Sequence, residues 1–172
     1  MRAINVIALL FATLLAGSNI APAAGPFDAF IVGLRSACAK SPSTNCTDAV
    51  SAFLDTNASG GIELRELELA LRKARSSVRN KASKLSPPER NMIAVALMVV
   101  RHAGLARVFE NFDTNADGAL STEELFADFH TDRRSFGAVV KDPKGVNWKT
   151  FARRFGKVGF LITDLLPPSH RR

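Results

Sequence analysis

The sequence predicts an all-α protein built as a single domain, on three observations. Apolar residues recur at threes and fours along most of the chain, long alternating Val/Ile/Thr stretches are absent, and no Gly/Ser linker or low-complexity tract divides it. A chain of 172 residues that is 47% hydrophobic buries one substantial core, so residues 24–172 are read as one domain behind a leader.

Residues 1–23 read as a secretory leader. Arg2 precedes an apolar run from Ile4 to about Ala16, and Ala21 and Ala23 suit a signal peptidase cutting after Ala23. The run is shorter than the roughly 20 residues needed to cross a bilayer, and it dissolves into Ser18, Asn19 and Pro22. No later segment is a spanning candidate, because the apolar run 92–100 is short and meets Arg101 and His102. The expected product is a secreted or periplasmic protein, soluble once the leader is removed.

A first helix is expected over 27–40 and a second over 47–55, with caps between Thr44 and Thr47. The only cysteines, Cys38 and Cys46, fall here. On one continuous helix they would stand about 12 Å apart, beyond disulfide reach. Pro42 between them offers a turn that folds the chain back. Two separate buried thiols are the alternative, and export favours the bridge.

Over 64–82, Leu64, Leu67, Leu71, Ala74, Val78 and Ala82 recur at helical spacing, while Arg65, Arg72, Lys73, Arg75, Arg79 and Lys81 fill the other faces. That pattern is an amphipathic helix with a basic exterior. The next helix should open at Ser86, with Pro87 where a missing N–H is tolerated and Glu89 reaching back, and run to about Phe112 with a bend at Gly104. Its apolar run near 93–100 should be central to the core. Further helices are expected over 122–134 and from Asn147 onward, the last breaking near Gly156 or Gly159.

Between these helices stand two loops, "DTNASGGIELRE" at 55–66 and "DTNADGALSTEE" at 113–124. A hard divalent cation such as calcium takes six to eight oxygens, and a twelve-residue loop wraps it when oxygens come at positions 1, 3, 5, 7, 9 and 12. The second loop supplies Asp113, Asn115, Asp117, the carbonyl of Ala119, Ser121 and the paired oxygens of Glu124. The first supplies Asp55, Asn57, Ser59, the carbonyl of Gly61, Glu63 and Glu66. Gly60 and Gly118 stand sixth, where a sharp turn wants positive φ, and Ile62 and Leu120 stand eighth, where the backbone can pair with a partner loop.

On these residues the sequence resembles the EF-hand family: helix, calcium loop, helix, twice over. The resemblance implies an EF-hand pair with long connecting helices and additional flanking helices, and two bound Ca2+ ions as cofactor. The second loop should be the tighter site, since neutral Asn57 and Ser59 leave the first with fewer charges and Glu63 must help. The loop starts, Asp55 and Asp113, are 58 residues apart. That is wider than in calmodulin-like proteins, so the basic helix and the Ser86 helix are an enlarged connection. A third segment, 141–151, is similar to a decayed hand: it has Lys149 and Thr150 where a glutamate is wanted, and is read as a structural partner to the second loop.

Nothing in the sequence supports an enzyme. His102, His130 and His170 are scattered, and no HExxH, GxSxG, P-loop or GxGxxG occurs. The formal net charge of +7 resides outside the loops, mainly in 72–84, at Arg133 and Arg134, in 149–157 and in the tail. Two function classes follow. The first is reversible calcium binding in an exported protein, in a structural, buffer or sensor role. The second is a basic interaction protein that holds an anionic partner, a lipid headgroup, a polysaccharide or a nucleic acid, with calcium as a structural staple. No stacking aromatics accompany the run 72–84, which speaks against nucleic acid.

Overall fold

The computed structural model describes residues 26–165 except 81, 82 and 84; the expected leader and the basic tail lie outside them. Its helices are α1 (Pro26–Lys40), α2 (Ser43–Leu54), α3 (Leu64–Arg79), α4 (Pro87–Ala103), α5 (Leu105–Phe112), α6 (Thr122–Leu125), α7 (Phe136–Lys141), α8 (Trp148–Arg153) and α9 (Gly159–Leu165). A 3-10 turn, Gly156–Val158, leads into α9. The fold is all-α, apart from a two-stranded antiparallel ribbon of β1 (Ile62–Glu63) and β2 (Ala119–Leu120).

Helix α1 turns back into α2 through residues 41 and 42, and the Cys38–Cys46 disulfide closes that corner with Cα atoms 4.8 Å apart. Helix α2 starts at Ser43, earlier than the expected 47, because a distant segment fixes its first residue. Ser43 donates its N–H to the carbonyls of Asp132 and Arg134, at 3.1 and 2.7 Å, and its hydroxyl accepts from the Asp132 N–H at 2.7 Å.

Helix α3 follows the expected stripe as far as Arg79, where it ends, with Ala74 buried and Leu64, Leu67, Leu71 and Val78 half-buried; Ala82, the last position of the stripe, lies outside the described residues. Ser86 and Glu89 close the start of α4 as the sequence implies: Glu89 Oε2 accepts from the Ser86 N–H at 2.6 Å. At Gly104, φ is 85°, and α4 and α5 diverge by 86° there. The expected long helix is therefore two helices. Together they match a membrane span in length and composition, but among the described residues no single helix is long and apolar enough to cross a membrane.

Two further expectations are corrected. The run 93–100 is not enclosed: Ile93 and Val99 are buried, but Met98 is 45% exposed and Ala94 faces solvent. The helix expected over 122–134 ends at Leu125. Beyond it, tertiary partners take the backbone groups that a helix would use internally. Phe129 bridges to Val146, the His130 N–H reaches the Gly145 carbonyl at 2.9 Å, and the Asn147 N–H reaches the Asp128 carbonyl at 2.8 Å. The segment 141–151 thus pairs with the chain just past the second hand, while the second loop pairs with the first. The core gathers Phe109, Phe112, Phe126, Phe129, Phe136, Phe151 and Phe155 around this junction.

Candidate functional site

The two loops lie side by side through β1 and β2, with Ile62 opposite Leu120 and Glu63 opposite Ala119. Ile62 and Leu120 are almost fully buried, so the ribbon seats both loops on the core. Each loop enters from the end of a helix, α2 or α5, and leaves into the start of another, α3 or α6.

Within the loops the hydrogen bonds correspond position by position. Asp55 Oδ1 and Oδ2 accept from the N–H groups of Ser59 and Gly60, at 3.0 and 2.9 Å. Asp113 Oδ1 and Oδ2 accept from those of Asp117 and Gly118, at 3.2 and 3.0 Å. Asn57 Oδ1 takes the Ser59 N–H at 2.9 Å, and Asn115 Oδ1 takes the Asp117 N–H at 3.0 Å. Gly60 and Gly118 sit at φ of 91° and 85°, so the sharp sixth position uses the conformational freedom that only glycine has at low cost.

The last glutamate of each loop closes it. Glu124 Oε1 accepts from the N–H and hydroxyl of Thr114, both at 2.9 Å, and from the Asn115 N–H at 3.2 Å. Its Oε2 accepts from the Ser121 N–H at 3.0 Å, and the Ser121 hydroxyl in turn accepts from the Glu124 N–H at 3.1 Å. Glu66 repeats this with Thr56, Asn57 and Glu63. The Ser121 N–H first of all, with the Thr114 and Asn115 donors, lowers the Glu124 pKa to about 2 although burial works against it. Burial raises Glu66, but the Glu63, Thr56 and Asn57 donors outweigh it and hold its carboxyl below the usual value.

Residues 105–127 match a family model described as EF hand. The match supports an EF-hand family. It covers α5, the second loop and α6, and so suggests calcium binding; the first loop lies outside the matched segment. No curated protein and no solved structure matches the chain.

The donor set of loop 113–124 suits a hard cation, since each of positions 1, 3, 5, 7, 9 and 12 offers oxygen. Among the described residues no three His, Cys, Asp or Glu side chains form a metal cluster. In loop 113–124 half of the six positions are amide, hydroxyl or carbonyl oxygens, and the carboxylates are turned onto the loop's own N–H groups. To hold an ion, Glu124 must exchange part of that backbone contact for the metal. Loop 55–66 carries a local competitor: Arg65 draws Glu63 Oε2 to 2.6 Å, and the Ser59 hydroxyl donates to the Gly61 carbonyl at 2.9 Å.

Several residues of the two loop frames were not singled out from the sequence. Thr56 and Thr114 tie the last glutamate to the second position. Ala58 and Ala116 adopt φ of 55° and 57° at the fourth, a conformation that costs an L-residue roughly 1–2 kcal/mol. The signal was present, for both loops begin Asp-Thr-Asn-Ala. Arg154 had no local signal. It binds buried Asp128 at 2.7 Å, donates to the Asn111 carbonyl at 2.8 Å and lies 4.7 Å from the Phe112 ring centroid. One guanidinium from beyond the hand thus joins its entering helix to the segment that leaves it. Below the paired loops lies an apolar cavity of about 250 Å³, lined among others by Leu54, Leu67, Phe109, Leu120 and Phe126.

Proposed function

We propose that the protein binds two calcium ions, one in each loop, and that the ions fasten the halves of its chain together outside the cytoplasm. The position-by-position agreement of the two hydrogen-bond frames carries this reading, because it extends what the matched hand suggests to loop 55–66. Asp113, Asn115, Asp117, the Ala119 carbonyl, Ser121 and Glu124 would hold one ion. Asp55, Asn57, Ser59, the Gly61 carbonyl, Glu63 and Glu66 would hold the other. A bound ion would draw the carboxylates from the loop's N–H groups onto itself and supply the positive charge that brings them together.

The role is binding rather than catalysis. The leader read in residues 1–23 supports export, and outside the cytoplasm sites on the order of 10⁻⁴ to 10⁻³ M are adequate. The deciding experiment is calorimetric titration of calcium into the metal-stripped protein, with Asp113→Ala and Asp55→Ala beside it. Two binding events are expected in the parent and one in each variant, the weaker event being the one that Asp55→Ala removes. An absence of heat and of thermal stabilisation at millimolar calcium would overturn the reading. Apolar-dye fluorescence should change little on binding; a large rise would assign the protein to the sensors instead.

A further inference from the structure

Part of the positive charge outside the loops lines one groove. Helices α3 and α4 pack side by side, and the floor between them is apolar, made by Val78, Leu97 and the exposed Met98. Arg75 and Arg79 form one rim, and Arg101 and His102 the other. This cavity of about 430 Å³ continues into another of about 330 Å³, the two sharing Arg75, Leu97 and Arg101. From Glu68 to Arg79 the wall extends about 16 Å at 1.5 Å per residue, roughly three helical turns.

Arg75, Arg79 and Arg101 are exposed and have no acidic partner among the described residues. Glu68, the acid at the far end, lies 3.8 Å from Arg72. Guanidinium groups held together without counter-charge repel one another, so an anion between them is favoured. The floor discriminates among anions. A bilayer surface is broad and does not enter a recess between two helices, and a polysaccharide leaves Leu97 and Met98 without an apolar partner.

We propose that the α3–α4 groove docks an acidic amphipathic helix of a partner protein, about three turns long, with apolar side chains on the floor and Asp or Glu against the arginine rims. The inference goes beyond calcium binding and does not depend on it.

The test is selection of random twelve-residue peptides displayed on phage against the purified protein, followed by fluorescence anisotropy with the recovered peptides. Recovered sequences should be enriched in Asp and Glu flanking apolar residues at helical spacing. Their affinity should fall at least tenfold in Arg75→Glu/Arg101→Glu, fall less in Arg75→Gln/Arg101→Gln, and weaken with added salt. These side chains are exposed, and an unchanged helical circular dichroism signal in both variants checks that the fold is kept. Recovery without acidic enrichment, or equal binding to the parent and both variants, would overturn the proposal. So would arginine-dependent sedimentation with phosphatidylglycerol vesicles in the absence of acidic peptides, which would transfer the groove to a membrane.

Discussion

Glu124 closes the second loop with both carboxylate oxygens, and its titration can be followed without metal. Its pKa, held down to about 2, lies below the ordinary value of 4.5, so at acid pH the unfolded chain binds more protons than the native one. The carboxylate's contribution is therefore complete above the ordinary value and is lost as pH falls through about 2. In metal-free protein, unfolding free energy should decline from about pH 5 toward pH 2. Glu66 contributes with the same sign. Chemical denaturation across that range should show a flatter decline in Glu124→Gln; an unchanged slope would remove Glu124 from the account. At this scale the alternation of oxygen-bearing residues and the sixth-position glycines were legible, because both hold fixed places in the loop. Thr114 and Ala116 carried only the signal of the repeated Asp-Thr-Asn-Ala start, and their parts, a hydroxyl aimed at Glu124 and a left-handed backbone, are set by the folded loop.

Among the elements, short helices between loops were the least legible. Periodicity continues from Thr122 to Arg134, yet the helix stops at Leu125 because Asp128, Phe129 and His130 bond to the segment around Gly145 and Asn147. Local propensity is worth tenths of a kcal/mol per residue and yields to such pairing. The same region contains the Arg154–Asp128 ion pair, with side chains 13% and 6% exposed. Removing one member of a buried pair strands the other charge. Arg154→Ala is expected to cost about 3 kcal/mol in denaturant unfolding and, under the proposed function, to weaken calcium binding at the second loop more than at the first. A loss below about 1 kcal/mol would mark the pair as a solvent-screened contact.

Across the whole molecule, α1 is set against the rest by, among other contacts, the Cys38–Cys46 disulfide, the Asp28–Ser77 hydrogen bond to α3, and the Arg35–Glu89 ion pair to α4. Glu89 is 3% exposed and also caps α4, so one carboxylate serves both the start of a helix and the docking of another. Burial lowers the Arg35 pKa, and its Nε finds no partner among the described residues, so the guanidinium depends on Glu89. Glu89→Gln should destabilise the fold by about 3 kcal/mol, and Arg35→Met in that background should recover part of it. Thermal and denaturant unfolding of the two singles and the double measure this coupling; strict additivity would refute it.

Sequence alone determined the helical class, the glycine turns at the sixth position of both loops and the Ser86–Glu89 start of α4. Each of these follows from local periodicity or from the fixed geometry of a short loop. Tertiary structure decided the 86° turn at Gly104, the end of α6 at Leu125, the exposure of Met98 and the place of Arg154. Those outcomes depend on which distant groups meet, and periodicity carries no record of a partner remote in sequence.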